Sequence, residues 1–267
     1  MLMTNKDHLW LQLKSMPYFR GLLRAVEARF YDDIQLDGPV LDLGCGDGHF
    51  ASVVFDQPLA VGLDPWPAPL REAAEKGVYQ LPVQAAGART PFPDQCFGSA
   101  ISNSVLEHIP EIDPVLAEIA RVLKPGALFV FCVPNHNFDA HLSLAGFCDR
   151  IGLRKLATGY RRFFDRIARH HHLDSPEIWT DRLIRAGFTV ERWWHYFSPD
   201  ALAVLEWGHA FSLPALVARK LFGRWIIAPT RWNLVITDAI TRPFFEEPSP
   251  QPEGVCTFYI TRRCSED

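Results

Sequence analysis

The 267-residue chain has no Cys-x-x-Cys pair, no uncharged stretch of the ~18–20 residues that a membrane-spanning helix needs, and no surplus of basic charge. Each absence excludes something. Its six cysteines (45, 96, 132, 148, 256 and 264) are scattered, which in a chain this long reads as reduced thiols of a cytoplasmic protein and not as a disulfide framework or zinc site. The N-terminal stretch MLMTNKDHLWLQLKSM has no apolar core, so no signal peptide is expected. A formal net charge of −4 argues against a general nucleic-acid binder. There are no internal repeats and no low-complexity tract beyond the Pro-rich surface loop predicted at 247–252.

What is present is an ordinary globular composition, 48% hydrophobic and 22% charged, with one oddity. Eight Trp and nineteen Phe are present, and the tryptophans gather in the second half. The length exceeds one usual domain without reaching two, so a single domain with additions is expected.

Between residues 40 and 135 short apolar runs alternate with helical stretches, the pattern of a parallel α/β sheet. Residues 39–43, 59–63, 99–102 and 127–133 read as strands, and 48–55 and 69–76 as helices. Apolar residues at 109, 112, 116, 119, 122 and 123 predict one helix over 106–123. Residues 1–36 predict an amphipathic helix with Leu22, Leu23, Val26 and Phe30 on one side. Ser175-Pro176 opens a helix that closes at Gly187, with Asp174 or Ser175 as its N-cap. Residues 188–197 and 255–261 read as the last strands. The nearly sixty residues between them are too many for a structureless loop, so helices are expected there.

The sequence VLDLGCGDG at 40–48 follows a strand and opens a helix, so Gly44 and Gly46 let the backbone turn sharply and let a ligand approach it. Asp64 ends the second strand, where a carboxylate can accept both hydroxyls of a ribose. The glycines fall as G-x-G-x-G, with His49 where a dinucleotide fingerprint needs a small residue, which disfavours a nicotinamide-binding site.

Residues 40–135 resemble the class I S-adenosylmethionine-dependent methyltransferases. After the VLDLGCG opening come LPVQ at 81–84, PFPDQCF at 91–97, SVLEHI at 104–109 and ARVLKPG at 120–126, in that family's order and spacing. The resemblance implies a Rossmann-like, seven-stranded, mostly parallel sheet carrying helical lid insertions. It divides the chain into an N-terminal helical cover (1–36), an S-adenosylmethionine-binding core (37–135), a lid insertion (136–175), a core helix and strand (176–198), an aromatic and basic lid insertion (199–254), and a last strand with tail (255–267).

Carried over position by position, it implies that Asp42 orients the glycine loop and receives the methionine ammonium. Gly44, Cys45 and Gly46 pass beside the methionine and ribose, Asp64 holds the ribose hydroxyls, and Pro65 and Trp66 flank the adenine. Ser102 and Asn103 lie beneath the sulfonium. Two positions depart from the family. The acidic residue that usually meets the adenine amino group is absent, with Ala86 and Gly87 in its place, and Gly98 replaces a structural Asp. S-adenosylhomocysteine would be the product.

Methyl transfer needs an aligned nucleophile and, for a hydroxyl or ammonium acceptor, a base. His108 and His136 are the candidate bases, with His141 placed near them; the plain alternative for His108 is a helix-start residue bonded to backbone. His170-His-His172 with Asp174 is read as a loop and not a metal site, because consecutive side chains diverge. The basic segment 150–169 could grip a phosphorylated or acidic substrate, but is read mainly as a solvated helix face with Leu153, Leu156, Phe163, Phe164 and Ile167 turned inward, one or two of its arginines reaching the pocket. The aromatic and basic stretch 207–245 suits a cap buried over the pocket or an interfacial helix on an anionic membrane; Pro214 and Pro229 break it, which favours the cap. The leading functional reading is methylation of a small, partly apolar acceptor such as a natural product or sugar. The others are a lipid or quinone methyltransferase at a membrane surface, and a cofactor-binding protein without turnover.

Overall fold

The computed structural model describes residues 6–211 and 213–265. The remaining ends of the expected cover and tail (1–5 and 266–267) and residue 212 lie outside them. Among the described residues, seven strands form one sheet in the order β3-β2-β1-β4-β5-β7-β6. They are β1 (Val40–Leu43), β2 (Leu59–Asp64), β3 (Tyr79–Gln84), β4 (Phe97–Asn103), β5 (Leu123–Pro134), β6 (Phe188–Tyr196) and β7 (Cys256–Arg263). All pairings are parallel except those of β7, which runs antiparallel to both β5 and β6. The order reverses between β1 and β4, and a doubly wound sheet opens its ligand crevice at the carboxyl end of such a switch.

The period-2 alternation of β5 shows how the sheet is sandwiched. Phe129, Phe131 and Val133 enter one buried cluster with Leu41, Leu116, Ile119 and Trp179, beneath α5 (Ile112–Val122) and α8 (Pro176–Arg185). Val130 and Cys132 point the other way, towards Leu22, Ala25 and Val26 of α2 (Tyr18–Arg29). The N-terminal segment is therefore not one helix. Pro17 lacks an N–H and ends α1 (His8–Leu13), then serves as the N-cap of α2.

Three further expectations need correction. The helix predicted over 106–123 is a 3-10 turn at Leu106–His108 followed by α5, since Pro110 cannot continue the hydrogen-bond ladder. Residues 79–84 form β3, an edge strand that Pro82 and its half-exposed alternation hid. The helical connections α3 (His49–Val54) and α4 (Pro67–Lys76) fall within two residues of expectation. The third correction concerns the insertions. After β5 come α6 (Ser143–Arg150) and α7 (Arg154–Ala168); after β6 come α9 (Pro199–Phe211), α10 (Leu213–Phe222) and α11 (Arg231–Phe245). Of the five apolar residues of 150–169 expected to face inward, only Phe164 is buried, while Leu153, Leu156, Phe163 and Ile167 are exposed. Likewise Trp207, Phe211, Phe222 and Trp232 are exposed and not packed under a cap.

Gly98 explains its own departure from the family. A Cβ there would stand 2.6 Å from the carbonyl oxygen of Gly38 and 2.7 Å from that of Asp37, so the chain leading into β1 occupies the space of a side chain. Gly98→Ala should therefore cost about 1–3 kcal/mol, read as a lowered midpoint in urea unfolding. An unchanged midpoint would contradict the close approach.

Candidate functional site

The carboxyl ends of β1, β2 and β4 converge on the glycine loop. Leu63 of β2 accepts hydrogen bonds from the N–H groups of Gly44 (2.7 Å) and Cys45 (3.0 Å), which folds the loop back across the strand ends. Asp64 then fixes it: one carboxylate oxygen accepts from the Gly46 N–H at 2.9 Å and the other from the Trp66 N–H at 2.8 Å. Gly44 has φ +75°, and a Cβ there would meet Val105 Cγ1 at 2.3 Å. Gly46 has φ +55° with no atom near its missing Cβ, so its backbone is bare towards the crevice.

Two cavities adjoin this loop and share Gly44 and Val105. One, of about 740 Å³, is lined by Asp64, Pro65, Trp66, Ala86, Gly87 and His108, with Ala168 and Arg169 of the first insertion at its edge. The other, of about 530 Å³, is lined by Asp42, Cys45, Gly46, His49, Asn103 and Ser104, by Arg20 and Arg24 of α2, and by Arg219 and Trp225 of the second insertion. The first is mainly apolar in character. The second is rich in charge.

The floor of the charged cavity rests on Glu27, which no reading of the sequence singled out. This fully buried carboxylate accepts from Asn103 Nδ2 (2.6 Å), Ser104 Oγ (2.8 Å), Tyr196 OH (3.0 Å) and Arg24 Nη1 (3.1 Å). Arg24 also donates to the Asn103 carbonyl at 2.9 Å. Asp42 accepts from Tyr79 OH at 2.6 Å; burial raises its pKa to about 7, against the Tyr79 hydrogen bond and the Arg24 charge, which both favour ionisation. His49 Nε2 lies 3.0 Å from Gln12 Oε1 and 3.1 Å from Ser15 Oγ, and burial holds its pKa below the ordinary value. The sequence signal for Glu27 was faint: one acidic residue on the otherwise apolar side of a helix.

The other expected residues distribute unevenly. Ser102 is buried and donates to the Leu43 carbonyl at 3.0 Å, lining neither cavity, whereas Asn103 lines the charged one. His108 lines the apolar cavity, 3.1 Å from the Arg169 carbonyl through Nδ1 and stacked on His170 at 6.0 Å. His136 lines neither; its ring stands 6.0 Å from that of His195. His141 lines neither and pairs through Nδ1 with the Asn137 carbonyl. In the histidine run, His171 and His172 donate backbone N–H bonds to the Glu107 carbonyl and His172 reaches the Ile109 carbonyl at 3.0 Å, so the run clamps the 3-10 turn. No group of side chains suited to a metal ion occurs among the described residues.

Comparison with known proteins agrees with the geometry. Residues 41–131 match the family model described as a methyltransferase domain. The chain is 32% identical over 223 residues to an uncharacterized methyltransferase of Mycolicibacterium paratuberculosis, covering 76% of this chain and 83% of that one. It is 33% identical over 197 residues to another of Mycolicibacterium gilvum, covering 72% and 69%. Among solved structures it resembles a possible histamine N-methyltransferase of Thermotoga maritima (TM-score 0.55, 15% identity, 92% and 90% covered). It also resembles the [4+2]-cyclase SpnF (TM-score 0.54, 17% identity, 91% and 82% covered); at these identities the likeness is one of fold. The chain belongs to the class I S-adenosylmethionine-dependent methyltransferases.

Glu107 offers a test of the site's electrostatics. It is 2% exposed, one of its carboxyl oxygens has no partner, and burial raises its pKa to about 8 from an ordinary 4.5. Below pH 4.5 both folded and unfolded chains hold the proton. Between the two values only the unfolded chain releases it, so stability falls as pH rises and levels off above about 8. Thermal unfolding of Glu107→Gln against the parent from pH 5 to 9 should show the variant gaining relative stability up to pH 8. A gap that does not widen with pH would contradict this burial.

Proposed function

We propose that the chain transfers a methyl group from S-adenosylmethionine to a small, partly apolar organic acceptor that enters the charged cavity from the side of the insertions. The observation that carries this reading is the pair of cavities meeting at Gly44 and Val105, one suited to an adenosine and the other to an amino acid with room beside it.

The residues fit the methyl donor. Asp64 uses two of its roughly four lone-pair sites on the loop, leaving acceptors for two ribose hydroxyls. Pro65 and Trp66 border the space for an adenine, whose edge would meet the backbone at Ala86 and Gly87 where the family has a carboxylate. Asp42 is placed for an ammonium. The Arg20 guanidinium lines the charged cavity with no hydrogen bond or ion pair among the described residues, and would meet a carboxylate. The bound donor supplies an already activated methyl group, so the protein's work is alignment and exclusion of water. Asn103 and Ser104, locked by Glu27, form the rigid floor; Trp225 and Arg219 form the opposite wall, with Arg219 anchored to Glu72 at 3.1 Å. For an acceptor that must lose a proton, His49 is the histidine beside this cavity, and its burial favours the neutral, proton-accepting form. His108 borders the adenine side, and His136 lines neither cavity.

Calorimetry with S-adenosylhomocysteine should give saturable one-to-one binding, lost in Asp64→Ala and in Gly46→Val. No saturable binding by the parent chain would overturn the assignment. The pH dependence has a defined sign. The ligand's ammonium pairs with ionised Asp42, whose carboxyl is half protonated near pH 7 in the free protein. Affinity should therefore rise on the order of tenfold from pH 6 to pH 8, and Asp42→Asn should flatten that rise. A parent profile already flat would remove Asp42 from the ammonium site.

A further inference from the structure

Exposed apolar surface in this molecule is not scattered. Of twenty-two large hydrophobic residues exposed among those described, seventeen lie on the two insertions, within 147–167 and 207–240. Soluble proteins rarely leave a contiguous apolar surface of this extent open to water, so the concentration points to a binding face.

The arrangement on α7 is specific. Ala157 and Phe164 face the core, yet Leu156, Phe163 and Ile167 recur at i, i+7 and i+11 as a second apolar stripe, and all three are exposed. Lys155, Arg162 and Arg166 repeat the same spacing one residue earlier, so a row of cations runs beside the stripe. None of the three cations has an ion pair or hydrogen bond among the described residues. On α11, Leu234 and Thr241 are buried while Trp232 (76% exposed), Val235, Ile236 and Ile240 point outward at i, i+3, i+4 and i+8.

The two insertions meet. The Trp207 indole N–H donates to Ser143 Oγ at the start of α6, and Glu206 accepts the Ser143 and Leu144 N–H groups at 2.6 and 3.1 Å. The same Trp207 lines an apolar cleft of about 490 Å³ between α9 and α11, with Val204, Phe211 and Ile240. The two insertions are thus joined where α6 begins, beside this cleft.

Charge names the partner. The α6–α7 segment (143–168) carries six Lys or Arg against two Asp, and α9–α11 (199–245) carry five against three carboxylates. The rest of the chain then holds sixteen cations and twenty-six carboxylates. A basic, apolar face on an otherwise acidic molecule is complementary to an anionic lipid surface, where aliphatic side chains enter the headgroup boundary and cations meet phosphates. A nucleic acid would match the cations but leave the aliphatic stripes in water. No helix among the described residues is long and apolar enough to cross a bilayer, so the contact is peripheral.

We propose that the α6–α7 and α9–α11 face docks on the surface of an anionic phospholipid membrane, with the cleft beside Trp207 receiving an apolar chain. Arg219 of α10 and the nearby Trp225 border the charged cavity, so the docking face and the methyl-transfer site share an element. Resting on the methyltransferase reading, this makes the acceptor an amphiphile that resides in the membrane.

Co-sedimentation with vesicles tests the docking without any acceptor. The parent chain should partition onto mixed phosphatidylcholine–phosphatidylglycerol vesicles, less onto phosphatidylcholine alone, and less again at high salt. Lys155→Gln/Arg162→Gln/Arg166→Gln should weaken partition on the order of a hundredfold, and Trp232→Ser/Ile236→Ser should weaken it on both compositions. All five side chains are exposed, and an unchanged melting temperature with retained S-adenosylhomocysteine binding separates lost docking from lost folding or a failed cofactor site. No partition by the parent, or partition that ignores lipid charge and these substitutions, would overturn the proposal. So would concentration-dependent dimers in sedimentation velocity that Trp232→Ser dissociates while vesicles capture nothing; the face would then join two copies of the chain.

Discussion

A single buried carboxylate holds the site together. Glu27 accepts four hydrogen bonds from three parts of the chain: Arg24 on its own helix, Asn103 and Ser104 at the end of β4, and Tyr196 at the end of β6. A buried charge is tolerated only when its lone pairs are filled, so these elements are bound to one geometry. The consequence reaches the glycine loop. Ser104, held by Glu27, sits at φ +50°, and the next residue, Val105, packs its methyls into the space that a side chain at Gly44 would need. Cover helix, strand end and loop are thereby set relative to one another.

Around that anchor two aspartates divide the work. Asp64 spends one oxygen on each flank of the crevice and remains an acceptor. Asp42 is deeper, and burial raises its pKa to about 7, so that it is only partly ionised in the free protein at neutral pH. Pre-formed hydrogen bonds avoid reorganisation when a ligand arrives, and this suits a reaction in which positioning is most of the catalysis.

Much of the platform was legible because local rules sufficed. The apolar run of β5 over 127–133 is continuous, as a strand buried on both faces should be, the short runs of β1, β2 and β4 are bounded by turn residues, and Gly44 and Gly46 stand where positive φ is required. The helix opened by Ser175-Pro176 forms as α8 for the same reason. Less legible was whatever depended on partners distant in sequence. Glu27 is unremarkable until Asn103, Ser104 and Tyr196 surround it. Tyr79 lies in a strand disguised by Pro82, and its hydroxyl meets Asp42 across thirty-seven positions. The insertions were misread because apolar spacing on a helix says that a stripe exists, not that the core receives it. On α7 the core takes Ala157 and Phe164 and leaves Leu156, Phe163 and Ile167 outside.

The picture is of a rigid methyl-donor platform carrying two insertions whose inner edges border the cavities and whose outer faces are apolar and basic. Its central claim is positional: donor adenosine on the Trp66 side of Val105, donor amino acid on the Arg20 side. A crystal structure with S-adenosylhomocysteine bound tests it most directly. The account predicts the adenine beside Ala86 and Gly87, the ribose on Asp64, and the sulfur above Asn103 with the carboxylate towards Arg20. An adenine seated in the charged cavity, or a ligand bound away from the Gly44–Val105 junction, would contradict it.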